Sequence, residues 1–553
     1  MLTLCSTDSK DVDSAVLARD EDRSRKTLGK KGMTFVCPRC TRPMRKDGFT
    51  SGGKQRWGCY PGGAFCYTTT APDLAADRSQ SGVVKRKGKT PIFKRTLGGK
   101  STFIITAAQN ATPVHQGFLK ACEALCNERN GEILAIPLRY KNPTSRWTAS
   151  QANEEVWADA LAPHMCNQRK RLNANLIVLG DIKTQPTAVN PLTGYEALTH
   201  GESGILGHTK LALKTIATPQ SKFPKIMTTT GAMTIPNYTD SRAGKIGEFH
   251  HTLGAALVEI SGKKFHLRQL SADKEGTFTD LDQTYSEFGR TKAEKPLALV
   301  MGDTHVDFID PAVERSTFGK GGLVDTLQPA HLVWHDLLDG YAVNPHHNGN
   351  PFAAIAKVQN NRNDAKEELM RALEFIHKRT PDGVTSVVVP SNHEDFLSRW
   401  IINQDWRNNP ANAEFYLETA LAMVRGTQFG GAGTTYPSPF IYWGRKELAY
   451  SSVLFLERDE SFAVAGVELG MHGDQGPNGA RGSIKNLRRI GIRSIIGHSH
   501  SPGIDEGCYQ TGTSTRLKLE YNGGPSGWLN THCILYANGK RTLVNIIDGE
   551  YRL

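Results

Sequence analysis

Between residues 101 and 290, short apolar runs alternate with a stretch of helical spacing, which is the pattern of an α/β domain. The stretch from Gln116 to Glu128 carries its apolar residues at helical intervals. Strands are predicted at Phe103–Ile105, Ile133–Ile136, Leu176–Leu179, Ile226–Thr229 and Ala255–Ile260. We expect a partly parallel sheet here, in a domain that either holds substrate or mediates self-association.

Five further apolar runs lie between residues 291 and 515, and each leads into side chains that can bind metal ions. In chain order the runs lead into Asp303 and His305, His335 and Asp336, Asn392 and His393, His472 and Asp474, and His498 and His500. The fourth run, Val464–Leu469, is as strand-like as the others. A single metal centre at the ends of these strands explains all five pairs.

One helix of this region is predicted from its apolar stripe. Leu369, Leu373 and Ile376 recur at helical intervals within residues 364–378, and Lys366 and Arg371 fall on the opposite face. This helix is expected to pack on the sheet.

The composition is that of an ordinary globular protein of 553 residues, with 38% hydrophobic and 22% charged residues. No run approaches the roughly 18 apolar residues that a membrane helix needs. The first residues, with Asp8, Asp11 and Asp13, lack the basic and then apolar pattern of a secretion signal. These features predict a cytoplasmic protein with no membrane segment.

The net charge of +12 is confined to the N-terminal fifth of the chain. Residues 1–100 hold 21 Lys and Arg against 9 Asp and Glu, and the two signs balance over the remainder. A cation-rich segment on a neutral body is typical of a tether to a polyanion, most often nucleic acid. A solvated basic tail without function is the alternative.

Four of the ten cysteines fall within thirty residues, as the pairs Cys37 and Cys40, then Cys59 and Cys66. Two thiolate pairs on short turns can complete a tetrahedral zinc site, and thiols of a cytoplasmic protein stay reduced. The residues between the pairs have the features of a hairpin, with a turn at Gly52 and Gly53. We therefore expect a structural Zn²⁺, although the second pair is wider than the usual C-x2-C spacing.

This segment resembles the zinc ribbons of transposases and topoisomerases that contact DNA. Cationic and aromatic side chains are interleaved in it, and a further basic run follows it, so that phosphate contacts and base stacking are both available. The residues predicted to contact DNA are Arg39, Arg45, Lys54, Arg56, Trp57, Lys85, Arg86 and Lys87. A structural or protein-binding ribbon is the alternative.

The predicted organisation has five parts. They are a flexible N-terminus at 1–32, a zinc ribbon at 33–70, a basic linker at 71–100, an α/β domain at 101–290 and a catalytic domain at 291–553.

The order D-x-H, D, N-H-[DE], H and G-H-x-H resembles that of the calcineurin-like metallophosphoesterase superfamily. The resemblance covers about residues 292–515 and implies a four-layer α/β/β/α sandwich. It implies that one metal is held by Asp303, His305 and His500, the other by Asn392, His472 and His498, with Asp336 between them. A metal-activated hydroxide would be the nucleophile.

His393 follows Asn392 directly, and the resemblance implies that it protonates the leaving group as the general acid. Glu394 or Asp395 is expected to orient its ring. Two positions depart from the family pattern, since His335 and Ser391 stand where glycine is usual. Asp339 is a rival to Asp336 for the bridging position.

Mixed Asp, Asn and His ligands suit Mn²⁺, Fe or Zn²⁺ better than Ca²⁺ or Mg²⁺, and we expect two Mn²⁺ ions. The basic N-terminal part favours DNA as the substrate, as in the SbcD-type nucleases. The combination also resembles phage-encoded DNases, which act in the host cytoplasm. A phosphomonoesterase acting on nucleotides or proteins, or a non-catalytic DNA-binding protein, are the alternatives.

Overall fold

A computed structural model describes residues 37, 42, 44–49, 55–59, 67–69, 99–138, 156–182, 184–430 and 433–553. The chain forms two compact units, Met1–Ile92 and Phe93–Leu553. The predicted N-terminus at 1–32 and all but the last two residues of the predicted linker at 71–100 lie outside the described residues. In the described parts of the chain, no helix is long and apolar enough to cross a membrane.

The first unit contains a three-stranded antiparallel sheet of β1 (Arg45–Phe49), β2 (Gln55–Cys59) and β3 (Tyr67–Thr69), in that order. Pairing of β1 with β2 confirms the predicted hairpin. Cys37 and Cys59 are buried beside Met44, and Trp57 packs against them. The first cysteine of each predicted pair therefore lies in one small core.

In its described residues, the second unit begins with twelve strands. They are β4 (Thr102–Gln109), β5 (Glu132–Leu138), β6 (Arg169–Asn173), β7 (Leu176–Leu179), β8 (Ser203–Leu206), β9 (Ala212–Ile216), β10 (Lys225–Thr229), β11 (Gly254–Ser261), β12 (Lys264–Ser271), β13 (Phe278–Asp280), β14 (Gln283–Ser286) and β15 (Gly289–Lys292). Each predicted strand of this region is present, with longer bounds in most cases.

The described part of the C-terminal half contributes thirteen more strands. They are β16 (Ala298–Val300), β17 (His331–Trp334), β18 (Thr385–Val388), β19 (Gln428–Gly430), β20 (Gly433–Thr435), β21 (Val453–Phe455), β22 (Ala463–Val464), β23 (Val467–Glu468), β24 (Arg493–Ile496), β25 (Gly503–Asp505), β26 (Cys508–Gln510), β27 (Thr531–Leu535) and β28 (Arg541–Asn545).

Both helices that the sequence predicts, at Gln116–Glu128 and within residues 364–378, are present among the α-helices of the described residues. They are α1 (Gln116–Glu128), α2 (Arg242–His250), α3 (Pro311–Phe318), α4 (Leu323–Leu327), α5 (Pro351–Gln359), α6 (Ala365–Arg379), α7 (Asp395–Asn403), α8 (Ala413–Gly426), α9 (Pro439–Glu447) and α10 (Ile484–Leu487). The side chain of Asp364 caps α6 by accepting from the Glu367 amide, and Leu369, Leu373 and Ile376 are buried as expected.

The three largest of the five sheets in the described part of the second unit organise it, and the unit is an α/β structure as predicted. A four-stranded sheet has the order β12-β11-β4-β5, and β4 and β5 are parallel. A ten-stranded sheet has the order β22-β23-β24-β26-β25-β9-β10-β8-β7-β6. A six-stranded sheet has the order β21-β18-β17-β16-β27-β28, and its first four strands are parallel to one another.

The sequence predicts a domain boundary near residue 290. The ten-stranded sheet contains strands from both sides of that boundary. Strand β9 of the middle segment pairs with β25 of the C-terminal segment, through Leu213 opposite Ile504. The predicted boundary therefore lies inside one compact unit, and both segments build the same sheet.

Successive side chains of a strand point to opposite faces of its sheet. In the six-stranded sheet, both faces pack against a core. Val300 and Val333 face a core shared with the other large sheets. Leu299 and Leu332 face a second core that also contains residues of α6, α7 and α9. The sheet thus lies between another sheet and a layer of helices.

The run Val464–Leu469 does not form the single strand that its composition predicts. It turns back on itself as a tight hairpin, in which β22 pairs with β23 and Ala465 and Gly466 both have positive φ angles. Gly466 permits the turn, because glycine reaches this region without steric cost. The second strand of this hairpin, β23, leads into the loop that carries His472.

Candidate metal centre

Three loops that follow parallel strands of the six-stranded sheet carry part of the site. Asp303 follows β16, Asp336 follows β17 and Asn392 follows β18. Because these strands are parallel neighbours, their carboxyl ends meet at one edge of the sheet. Backbone hydrogen bonds join the first two loops, since the His305 amide donates to the Asp336 carbonyl.

Two loops of the ten-stranded sheet complete the site. His472 follows β23, and His498 and His500 follow β24, its parallel neighbour. The Gly497 amide donates to the His472 carbonyl over 2.7 Å, which links these loops. The His498 amide donates to Asp303 Oδ1 over 3.0 Å and so connects the two sheets.

The residues predicted to hold the first metal lie together. His305 Nε2 is 3.1 Å from His500 Nε2 and 3.4 Å from Asp336 Oδ2. His500 Nε2 is 3.3 Å from Asp303 Oδ2. All four side chains are buried, so their nitrogen and oxygen atoms face one another away from bulk water.

The residues predicted to hold the second metal are also adjacent. His472 Nε2 is 3.4 Å from Asp336 Oδ2, and His498 Nδ1 is 3.0 Å from Asn392 Oδ1. The rings of His472 and His498 have centroids 5.3 Å apart. The structure thus brings together every side chain of both predicted ligand sets.

Asp336 and Asp339 occupy different places. Asp336 Oδ2 lies between His305 and His472, one residue from each ligand set. Asp339 Oδ1 instead lies 2.8 Å from His305 Nδ1, on the side of that ring away from Asp336. The position between the sets belongs to Asp336, and Asp339 orients His305.

The electrostatics of the cluster favour cations. Burial, and then the neighbouring Asp336 carboxylate, raise the pKa of Asp303 to about 7. Burial opposes protonation of His472, but the Asp336 carboxylate outweighs it and raises the pKa of His472 to about 9. Two buried carboxylates repel each other unless positive charge lies between them. Such a pair is a characteristic environment for metal ions.

Several buried atoms of the cluster support the fit of metal ions to these residues. Among the described residues, Asp303 Oδ2, Asp336 Oδ1, His472 Nε2 and His500 Nδ1 have no hydrogen-bond partner. Buried polar atoms are normally paired, so unpaired ones of ligand type call for an explanation. Groupings of His305, Asp336 and His500, and of Asp303, Asp336 and His472, place ligand atoms within 4.8 Å of one another.

The backbone of the ligands is held in an uncommon conformation. His305, Asp336, His498 and His500 all have φ angles between 40° and 76°, the left-handed region. Such residues cost of order 1–3 kcal/mol each and cluster at functional sites. The strain is observed here at four predicted ligands.

The ring of His393 stands beside the ligands and remains partly exposed, with 17% of its side chain accessible. Its Nδ1 lies 2.8 Å from the carbonyl oxygen of Asp339, and it packs edge-on against His305 at 4.6 Å. Burial lowers the pKa of His393. With Nδ1–H donated to the carbonyl, Nε2 is the nitrogen left to exchange a proton.

The expectation that Glu394 or Asp395 orients His393 is wrong. Glu394 accepts from the Leu338 amide and from Ser391, whereas Asp395 pairs with Arg458. The Asp339 carbonyl performs the orienting role. Sequence spacing could not show this, because the contact spans 54 positions.

Two further side chains lie near the predicted ligands: His335, which the sequence marked as a departure from the family pattern, and Trp528, which the sequence did not single out. His335 Nδ1 is 3.4 Å from His472 Nδ1, and burial lowers the pKa of His335 to about 3, so this ring stays neutral. Trp528 packs on His500 with ring centroids 4.1 Å apart. Trp528 follows the last ligand motif by many residues, and no spacing rule points to it.

The predicted zinc and DNA-binding residues are described only in part. Cys37 and Cys59 are buried, Arg45 is exposed on β1, Trp57 is half-buried on β2 and Arg56 lies on the same strand. Cys40, Cys66, Arg39, Lys54, Lys85, Arg86 and Lys87 lie outside the described residues.

The fold and the site define an α/β protein with a buried His and Asp cluster suited to metal ions. No family model matches the chain. Over 465 residues it is 30% identical to Protein A1 of Escherichia phage T5, with 81% of this chain and 82% of that protein covered. The chain therefore belongs to the family of Protein A1.

A solved structure, that of Vps29 from Chaetomium thermophilum, is similar over 35% of this chain and 98% of its own length. The sequence identity is 10% and the TM-score is 0.20, which is too low to bear on the fold.

Proposed function

We propose that this chain is a two-metal phosphodiesterase of the calcineurin-like metallophosphoesterase superfamily, and that its substrate is the DNA backbone. The observation that carries the proposal is the position of Asp336, whose Oδ2 lies 3.4 Å from both His305 Nε2 and His472 Nε2. A carboxylate between two sets of nitrogen ligands is what a pair of adjacent cations requires.

The layering of the second unit supports the superfamily. Val300 of the six-stranded sheet and Ile495 of the ten-stranded sheet belong to one core between the sheets. Helix α6 covers the outer face of the first sheet, and Leu487 of α10 packs on Ile496 and Cys508 of the second. This order of helix, sheet, sheet and helix agrees with a four-layer sandwich.

The residues of the site have separate tasks in this proposal. Asp303, His305 and His500 would hold one cation, Asn392, His472 and His498 the other, and Asp336 both. Two bound cations, Mn²⁺ by ligand type, would supply the Lewis acidity that activates water and stabilises charge on the phosphate. His393, held by the Asp339 carbonyl, would donate its Nε2 proton to the departing oxygen.

DNA is favoured over small phosphoesters by the N-terminal hundred residues, which hold the whole net charge of +12. The three-stranded sheet of β1 to β3 presents the exposed Arg45 and the half-buried Trp57. Cys37, Cys40, Cys59 and Cys66 would hold a structural Zn²⁺ there. By its relation to a phage protein, the chain would act in the cytoplasm of an infected host.

Plasmid cleavage by the purified full-length protein tests this function. We expect cutting with Mn²⁺, none with EDTA, and a loss of activity in Asp303→Ala, while the exposed control Asp382→Ala cuts like the parent. Hydrolysis of small phosphomonoesters with the plasmid left intact would replace the proposal by a phosphomonoesterase. DNA binding without turnover of either substrate would indicate a non-catalytic DNA-binding protein.

A further inference from the structure

A second concave site lies at the far end of strand β24 from the metal centre. It is a cavity of about 350 Å³, and we call it the basic cavity. The charged and titratable side chains in its wall are Lys210, His250, His251, Arg493, Glu506, Tyr509, Lys540 and Arg541. His498 lies five positions after Arg493, a distance of about 16 Å along an extended chain, so a ligand here would not touch the predicted metal ligands.

Positive charge in the basic cavity exceeds negative charge. Glu506 is the carboxylate among the lining residues, and it is already shared by Lys210 at 2.9 Å and Arg488 at 3.4 Å. In the described parts of the chain, Arg493, Lys540 and Arg541 have no carboxylate at ion-pair distance. A concave surface with uncompensated cations attracts anions.

The cations are held close together by the fold. Arg541 is 8% exposed, donates to the carbonyl oxygens of Ser494 and Gly507, and lies over the ring of Tyr509. Burial and then Arg493 lower the pKa of the adjacent Lys540, which Asp273 offsets only in part. The position of Arg541 is thus built into the core, whereas Arg493 is exposed and Lys540 is partly exposed.

An aromatic ring stands at the edge of the same cavity. Phe249, near the end of α2, lines the cavity and is 84% exposed. Its ring packs edge-on against that of His250, with the two centroids 5.0 Å apart. A largely exposed ring beside a basic surface is the arrangement on which nucleobases stack.

We propose that the basic cavity binds a nucleotide unit, with its phosphate against Arg493, Lys540 and Arg541 and its base against Phe249. Thr252 and Ser271 line the same wall. This nucleotide is either a free nucleotide or one nucleotide of a DNA strand, distant from the bond that is cleaved. The proposal does not depend on hydrolysis at the metal centre.

Calorimetric titration of the full-length protein in EDTA tests the site with three probes: inorganic phosphate, dAMP and a short single-stranded oligonucleotide. The variant Arg493→Ala with Lys540→Ala removes the accessible cations, and Phe249→Ala removes the ring. Lys263→Ala, an exposed lysine in the turn between β11 and β12, is the matched control. Circular dichroism melting checks that each variant is folded.

We expect the double variant to bind roughly tenfold more weakly or worse, because charged donors dominate such contacts, and Lys263→Ala to bind like the parent. Phe249→Ala should weaken dAMP or the oligonucleotide without changing phosphate. Weaker binding of the oligonucleotide alone would identify a DNA strand as the ligand. Weaker binding of dAMP would identify a free nucleotide as the ligand. Absence of binding of all three probes, or equal binding by the parent and the double variant, would overturn the proposal.

Discussion

At the scale of single residues, Asp339 is the contact that sets the geometry of the ligand His305. Its carboxylate lies 2.8 Å from His305 Nδ1, and this histidine holds the Asp339 pKa below its ordinary value against the effect of burial. Partners of metal-binding histidines that accept the second ring proton fix the tautomer and the ring direction.

We expect Asp339→Asn to lower metal affinity or activity by about 10- to 100-fold, the range found for such partners. Metal titration followed by calorimetry measures the metal affinity. Plasmid cleavage measures the activity. Asp382→Asn, an exposed position away from the site, is the control. Parental metal affinity and activity in Asp339→Asn would show that His305 needs no orienting group.

His393 gives a different expectation, because it touches the site without belonging to either ligand set. His393→Ala should lower turnover by about 10²- to 10⁴-fold, as the loss of a general acid does, while metal content by elemental analysis stays unchanged. His377→Ala, on the exposed face of α6, should retain full turnover. Loss of bound metal in His393→Ala would instead make His393 a ligand.

At the scale of elements, the apolar runs predict strands such as β4, β7 and β10, every residue of which is buried. Leu176–Leu179 and Gln116–Glu128 have the predicted bounds, and β16 to β18 lead into the predicted ligands. The run Val464–Leu469 escapes prediction because its turn depends on two positive φ angles that composition does not reveal. Pairing between β9 and β25 is also invisible, since it joins strands far apart in the chain.

The candidate site divides in the same way. The seven predicted ligands follow from motif order, because each lies in a loop that follows a strand. The groups that orient them, the Asp339 carboxylate and carbonyl, His335 and Trp528, come from contacts across loops. Such contacts leave no periodic signal in the sequence.

Gly497 shows why the loop after β24 needs a residue without a side chain. A Cβ atom there would lie 2.2 Å from Asp303 Oδ1 and 3.0 Å from the ring of His335. We expect Gly497→Ala to displace Asp303, with at least roughly tenfold weaker metal binding and a stability loss of about 1–3 kcal/mol. Calorimetry and urea unfolding measure the two effects.

The matched control for this change is Gly201→Ala, where an added Cβ meets no atom within 4 Å. Gly201→Ala should leave metal binding unchanged. If Gly497→Ala bound metal as tightly as the parent, the Asp303 carboxylate would have freedom to move that the packing does not indicate.

At the scale of the whole unit, a buried ion network ties the four-stranded sheet to the small sheet of β13 to β15 and to the C-terminus. Arg268 donates to Asp280 through Nε at 2.6 Å, contacts Glu259 at 2.9 Å, and donates to the Tyr551 carbonyl. Arg129 reaches Asp280 at 2.8 Å. Both Arg268 and Asp280 are 1% exposed, so removing one partner leaves an uncompensated charge.

We expect Asp280→Asn to lower the free energy of unfolding at pH 7 by about 3–5 kcal/mol, as breaking a buried ion pair from one side does. Urea denaturation followed by circular dichroism measures it. Asp548→Asn, which removes the partner of Lys264 at the surface, should change the midpoint little because solvent screens that pair.

The same network predicts how stability depends on pH. Burial alone would raise the pKa of Asp280, but Arg268 and Arg129 outweigh it and hold that pKa below its ordinary value of 3.8. The stabilisation by Asp280 is therefore present above about pH 4 and is lost as the pH falls toward the lowered pKa. The difference in stability between the parent and Asp280→Asn should narrow on acidification, because only the parent has this carboxylate to protonate. A difference that stays constant down to pH 3 would mean that Asp280 contributes through packing, and that the charges of Arg268 and Arg129 are balanced by Glu259 alone.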